Sequence, residues 1–342
     1  MQVATRADVA RLAGVSPATV SYAISGKAPI SDATRDRVFE AMRELKYTPH
    51  VMAQALAGRK SRIIAMLLPS QDRGITNADM EYMMGAAEAA RELGYHLLLW
   101  PTLDRDVEQV LSLGQAGLLD GVILMEVRLH DERVDLLSEA GVPFALIGRT
   151  ENEDPSMLFS DRDFSKAITD AVEYLVGLGH QHIAFLNSSR KVVRQGIGAP
   201  VRADASFKAA VKHYGVKGVN LYCDLSVQAG RAVLPELLSK HPEVTALVEL
   251  NSEAIIGFMQ AAQLANVRIP QQLSVVSVGV SDHFANATVP ALTTIAPPAG
   301  AMGRLAAQLL IASVSGEALP TGPRLFAGDL VERESAGPAP RS

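Results

Sequence analysis

From Arg62 onward, short apolar runs alternate with amphipathic stretches, and this alternation limits the folds open to most of the chain. Ile63–Leu68, Tyr95–Trp100, Gly121–Met125, Pro143–Gly148, His182–Asn187, Leu221–Asp224, Ala246–Leu250 and Leu273–Gly279 read as strands. Asp79–Leu93, Asp163–Leu178 and Ser252–Ala265 carry helical spacing between them. Near-continuous apolar strands separated by helices mean parallel sheets covered on both faces. There are too many such units for one small sheet, so the expectation is two α/β lobes.

The first sixty residues follow another pattern. Thr5 caps a helix over Arg6–Ala13 with Val9, Ala10 and Leu12 or Ala13 inward. Gly14-Val15 makes a sharp turn. Ser16 caps a second helix with Pro17 at its first position, where the missing N–H costs nothing. Val20, Ala23 and Ile24 form its buried stripe, and Gly26 ends it. Ser31 caps a third helix to about Lys46, with Val38, Met42 and Leu45 inward, and Tyr47-Thr48-Pro49 stops it. Two short helices about a glycine turn, braced by a third, make a helix-turn-helix head. Its second helix is the one that enters a major groove, presenting Ser16, Pro17, Ala18, Ser21 and Tyr22, while Thr19 bonds a phosphate or the first helix.

Charge divides the chain at the same place. Residues 1–62 hold ten Lys and Arg against five Asp and Glu, and the remainder carries a net −10. A basic head on an acidic body points to a polyanion partner for the head alone. No run of apolar residues reaches a membrane span, the N-terminus lacks a secretory pattern, and Cys223 is the single cysteine. A cytoplasmic protein without a disulfide or a membrane partner is expected.

ADVARLAGVSPATVSYAISGK (7–27) and ISDATRDRVFEAMRELKYTPHVMAQAL (30–56) resemble the start of lactose-repressor/galactose-repressor (LacI/GalR) family members. GHQHIAFLN, VRIPQQLSVVSVG, PALTTIAPP, GRLAAQLL and LVERES continue the resemblance in order through the body. It implies an all-α helix-turn-helix head on a two-lobed α/β body like a periplasmic binding protein. The head is expected at 1–49, a hinge helix and linker at 50–61, and the effector-binding and dimerisation body at 62–334. Lobe one takes 62–160 and 292–322, lobe two takes 161–291 and 323–334, and 335–342 is a flexible tail. The resemblance implies that Val51–Ala57 folds only on DNA, with Leu56 as an apolar wedge in the minor groove; seven residues are too few for a stable isolated helix. Thr5, Lys27, Tyr47, His50 and Ala53 complete the DNA-contacting set. Tyr22 stands where relatives often carry arginine, and His50 where they carry asparagine. The implied partners are a near-palindromic operator, a second copy of the chain paired through helices such as Asp79–Leu93, and a small effector, a sugar above all. The implied role is repression.

Ligands of open α/β sheets bind beyond the carboxyl ends of strands. That rule nominates Ser70 and Asp72 after the first strand, Trp100, Glu126, Arg149, Asp161 after the crossover strand, Asn251 and Asp282. Family patterns support Arg149, Asp161, Asn251 and Asp282 and add Arg202. Carboxylates accept and guanidinium groups donate in fixed geometry, which suits adjacent hydroxyls of a polyol; Trp100 offers a ring face. The usual Gly-Phe-Asp-Asp run is Gly279-Val280-Ser281-Asp282 here, and the loop Asn187–Val201 departs from the simplest family form. His180 and His182 straddle a helix end and a strand start, a structural pattern, so no metal is expected. No cofactor is expected either. There is no nucleophile elbow, phosphate-cradling glycine loop or GxGxxG, so catalysis on a sugar in the acidic cleft is kept only as the alternative to a regulator.

Overall fold

A computed structural model describes residues 4–25, 28–47, 60–68, 74–101, 107–152, 154–296 and 298–341. The chain separates into two compact units, Met1–Ser61 and Arg62–Ser342.

The first unit contains α1 (Arg6–Ala13), α2 (Pro17–Ser25) and α3 (Asp32–Glu44). Thr5 and Asp8 form a reciprocal capping box at the start of α1. Gly14 closes the helix at φ 66°, a left-handed conformation that costs a residue with a Cβ. Ser16 Oγ accepts from Thr19 N at 3.0 Å, and Ser31 Oγ accepts from Thr34 N at 3.3 Å. Val9, Val20 and Val38, one from each helix, are wholly buried together. Leu12 is 46% exposed, so Ala13 alone takes the inward place that the two were expected to contest.

The second unit has two six-stranded sheets. In chain order it runs β1 (Ile63–Leu68), α4 (Asn77–Glu92), β2 (His96–Pro101), α5 (Val107–Gln115), β3 (Gly121–Leu124), α6 (Glu132–Glu139), β4 (Phe144–Ile147) and β5 (Phe159–Arg162). It then passes through α7 (Phe164–Gly177), β6 (His182–Asn187), α8 (Arg190–Arg194), α9 (Gly198–His213), β7 (Lys217–Tyr222), α10 (Val227–Lys240), β8 (Ala246–Glu249) and α11 (Ser252–Leu264). Last come β9 (Ser274–Ser277), α12 (Asp282–Ala285), β10 (Thr293–Ile295), α13 (Ala299–Ser315), β11 (Leu325–Phe326) and β12 (Leu330–Val331). Sheet one is ordered β11-β5-β4-β3-β1-β2 and sheet two β12-β10-β9-β8-β6-β7. Among the described residues, every pairing of these strands is parallel except β10 with β12. Central strands such as β3 and β8 are buried along their whole length, as sheets covered on both faces require.

The lobe boundaries differ from expectation. Asp161 lies within β5 of lobe one, Thr293–Ile295 pairs in sheet two, and Leu325–Phe326 pairs in sheet one. The chain therefore crosses between lobes after Arg162, after Ile295 and after Phe326. The tail was expected to be flexible, yet it is docked. Ser335 is buried; its Oγ accepts from Thr293 N at 2.8 Å and donates to Val275 O at 2.6 Å. Gly337 O accepts from His180 Nε2 at 3.1 Å, and Ala339 N donates to Leu178 O at 2.9 Å. Small residues let this backbone lie close enough to satisfy a buried imidazole, which composition alone does not reveal.

Helix pairs on both lobes meet backbone to backbone. A Cβ on Gly85 of α4 would lie 1.9 Å from Gly300 O, and one on Gly303 of α13 would lie 2.1 Å from Tyr82 O. On lobe two, a Cβ on Gly230 of α10 would lie 1.9 Å from Ala254 O at the start of α11. Gly230→Ala should force the two helices apart and cost about 1–3 kcal/mol, as overpacking does. Urea unfolding with the midpoint lowered would show it; an unchanged midpoint would contradict this packing.

Candidate nucleic-acid interface and effector cleft

In the head, Ser16, Pro17, Ala18 and Tyr22 are exposed, Ser21 is half-buried, and all five lie at the start or on the outer face of α2. Thr19 is half-buried and its hydroxyl pairs with Ser16 Oγ at 2.9 Å, so it organises the helix start. Arg6, which sequence reasoning passed over, donates from Nη1 to Ser21 Oγ at 3.0 Å and brings a cation onto the same face. Thr5 is engaged in its capping box, and Tyr47 packs on the head's core. Lys27, His50, Ala53 and Leu56 lie outside the described residues, as do Ser70 and Asp72.

In the body, a cavity of about 650 Å³ opens between the lobes. Its lining includes Tyr82, Glu126 and Arg133 from lobe one, Asp161 and Arg162 at the first crossover, and Arg202 and Gly279 from lobe two. Asp161 Oδ2 accepts from Arg149 Nε at 3.0 Å, its Oδ1 accepts from Arg162 N at 2.8 Å, and Arg202 Nη1 stands 3.9 Å away. Burial pushes the Asp161 carboxyl up, against the pull of that backbone amide and the two guanidinium groups. Arg202 Nη2 also donates to Arg149 O at 3.0 Å and Thr150 O at 2.9 Å, so this lobe-two side chain spans to lobe one. Arg133 donates to the carbonyls of Met125 and Glu126 at 3.0 and 3.1 Å, fixing the turn in which Glu126 has φ 50°.

Two buried ionisable side chains complete the site. Arg162 donates from Nη2 to Ile295 O at 2.8 Å, lies 5.3 Å over the Phe164 ring, and its Nε has no hydrogen-bond partner among the described residues. Burial brings its pKa down to about 10. Glu249, wholly buried, accepts from Ser277 Oγ at 2.6 Å through Oε2, while Oε1 has no hydrogen-bond partner among the described residues. Burial raises its carboxyl to about 8. Its Oε1 points toward Gly279, where an added Cβ would sit 3.0 Å away. Burial likewise raises the Tyr82 phenol to about 12.

The structure thus brings Glu126, Asp161 and Arg202 to the cavity, with Arg149 against Asp161. Of the nominees among the described residues, it does not bring Trp100, Asn251 and Asp282 with them. Trp100 packs on the lobe-one core, Asn251 caps α11 and donates to Cys223 O at 3.1 Å, and Asp282 pairs with Arg333 at 2.7 Å. Tyr82, Arg133, Arg162 and Glu249 were missed. A charged residue inside the apolar run Ala246–Leu250 was the available signal for Glu249, because a buried charge costs free energy without a purpose or partner. His180 has both ring nitrogens engaged, by Thr245 and by Ser274 with Gly337. Among the described residues, no three His, Cys, Asp or Glu side chains come together as a metal ion needs.

Residues 5–50 match the pattern of "Bacterial regulatory proteins, lacI family", and residues 172–336 match "Periplasmic binding protein-like domain". The HTH-type transcriptional regulator AglR of Rhizobium meliloti (strain 1021) is 29% identical over 97% of this chain and 94% of its own. The chain belongs to the lacI family of bacterial regulatory proteins. The solved CelR–cellobiose complex shares 26% identity at a TM-score of 0.71, covering 97% of this chain and 100% of that one. The lac repressor dimer bound to operator and the anti-inducer ONPF, at 24% identity, matches in fold with a TM-score of 0.81 over 98% of this chain and 100% of that one. This lacI-family member is therefore an effector-controlled, DNA-binding transcription regulator.

Glu249 gives the regulator a pH-dependent stability. Its folded pKa of about 8 lies above the ordinary carboxyl value of 4.5, so the folded state holds the proton more tightly. Stability should be highest at or below pH 4.5 as far as this group is concerned, and should fall as pH rises through 8. The loss is up to about 5 kcal/mol by proton linkage. Glu249→Gln should remove that slope; parallel wild-type and variant urea-stability curves between pH 5 and 9 would contradict it.

Proposed function

We propose that this regulator is a cytoplasmic repressor that acts as a homodimer on a near-palindromic operator and releases it when a sugar fills the interlobe cleft. The observation that carries the reading is the Asp161–Arg149–Arg202 cluster at the cavity: a carboxylate acceptor and guanidinium donors from two lobes in fixed geometry. Such groups bond vicinal hydroxyls from both sides and draw the lobes together. The cellobiose complex of CelR supports a sugar as the class of effector. For the head, the exposed start of α2 supports base contact in the major groove, with Arg6 beside it for a phosphate. Among the described residues no helix is long and apolar enough to cross a membrane.

The dimer reading is supported by the surface of lobe one. Met80 and Met84 on α4 are 50% and 57% exposed, and Leu98 and Leu99 on β2 are exposed as well. Large exposed apolar side chains gathered on one lobe are what an interaction surface presents, and the lac repressor structure is that of a dimer. Two heads then address half-sites one helical turn apart. Residues 50–59 of the hinge, with its wedge Leu56, fall outside the described residues and enter this proposal through the family resemblance alone.

A thermal-shift screen of mono- and disaccharides tests the effector. A sugar at a hundred times its Kd should add about 2.7 kcal/mol of stability, and Asp161→Asn should abolish that shift while leaving operator binding intact. No shift with any sugar would sink the sugar reading. For the head, Tyr22→Ala should change the preferred base at one step of each half-site in selection from random duplexes, with a cost of about 1–3 kcal/mol on the original operator. An unaltered preference would remove Tyr22 from the interface.

A further inference from the structure

The loop between Asn187 and Val201, which departs from the simplest family form, folds over the cleft. Its short helix α8 and the turn that follows place Lys191, Val192, Gln195 and Ile197 on the cavity wall. The root of this segment is fixed to lobe two, because the Arg190 guanidinium stacks 4.2 Å from the Tyr222 ring centre, and Tyr222 donates to Asp204 Oδ1 at 2.7 Å. Its tip reaches the opposite lobe. Leu129 N donates to Gly196 O at 2.8 Å, Gly198 N donates to Val127 O at 2.9 Å, and Arg128 faces Ile197 in an antiparallel bridge. Val127 is buried in the lobe-one core, so the receiving segment is anchored there. The joint is narrow by construction: a Cβ on Gly198 would lie 2.4 Å from Arg202 Nη1 and 3.1 Å from Val127 O.

We propose that residues 188–198 are a lid on the effector cleft, clasped to lobe one by the backbone bridge between 127–129 and 196–198, and that effector passes only when the clasp opens. The inference rests on the reading of the cleft as an effector site. The covalent crossovers join the lobes at one edge of the cleft, and the clasp joins them without a covalent bond. Two backbone hydrogen bonds are few enough to open locally while the lobes stay folded, which is how lids and binding loops are drawn from the less stable end of a structure. Gly196, at φ 74°, and Gly198 flank the bridging residue and supply the freedom to swing.

Amide-resolved hydrogen exchange on the full-length protein tests the clasp without any ligand. The Leu129 and Gly198 amides should be protected in the wild type. Gly198→Val should speed exchange at Leu129 by about tenfold or more, and trypsin should then cut within Arg190–Arg194 while the Ile183–Leu186 amides stay protected. Leu129→Pro, which deletes the N–H that Gly196 accepts, should do the same at Gly198 and stands in if the valine variant does not fold. Wild-type Leu129 and Gly198 amides exchanging at open-loop rates would overturn the proposal, as would variants that leave both protection and tryptic cleavage unchanged. Failure to find a sugar would strike the effector reading and leave this result standing, whereas an unprotected bridge would strike the clasp alone.

Discussion

The Arg162 guanidinium is inserted where the chain first leaves lobe one, and it donates to the carbonyl of Ile295 where the chain returns. A cation in such a place is expensive unless something is organised around it. Here it bonds one crossover to another, stacks on Phe164, and stands in the electrostatic reach of Glu249 and Tyr82. The relative setting of the two sheets, and with it the shape of the cavity, depends on this side chain. Asp161, its neighbour in the chain, turns the other way and gathers Arg149 and Arg202 at the cavity. Two consecutive residues of one strand thus serve opposite sides of one site, as the two-residue period of a strand dictates.

The elements legible in the sequence were those whose signal is local. Thr5, Ser16 and Ser31 mark helix starts because a side-chain oxygen must take up an otherwise unpaired backbone N–H. Ile63–Leu68 and His182–Asn187 were read to the residue because a strand covered on both faces must be apolar throughout. The crossover strand before Asp161 was expected to stop short of that residue, because Phe-Ser-Asp-Arg has no such run; β5 keeps Asp161 and Arg162 within it through hydrogen bonds that only the tertiary fold supplies. The tail misled in the other direction. Pro, Gly, Ala and Ser spell looseness by composition, yet His180 needed an acceptor and Gly337 provides it.

The site was half legible for a related reason. The rule that ligands gather beyond strand ends located the cleft and reached Glu126, Arg149 and Asp161. It gives position along the chain but no direction for the side chain. Trp100 and Asp282 follow strands as the rule asks, yet one turns into a core and the other toward Arg333. Tyr82 and Arg133 lie on helices, where the rule does not look, and they reach the cavity from the side.

The glycines that seat α4 against α13 and α10 against α11 have a mechanical consequence. With main chains in direct contact, neither lobe has slack in which a side-chain displacement could be absorbed. A displacement at the cavity wall is then taken up where the lobes join rather than within either one. Each lobe is in this sense a stiff plate, and the three crossings of the chain are the joints at which one plate can turn against the other.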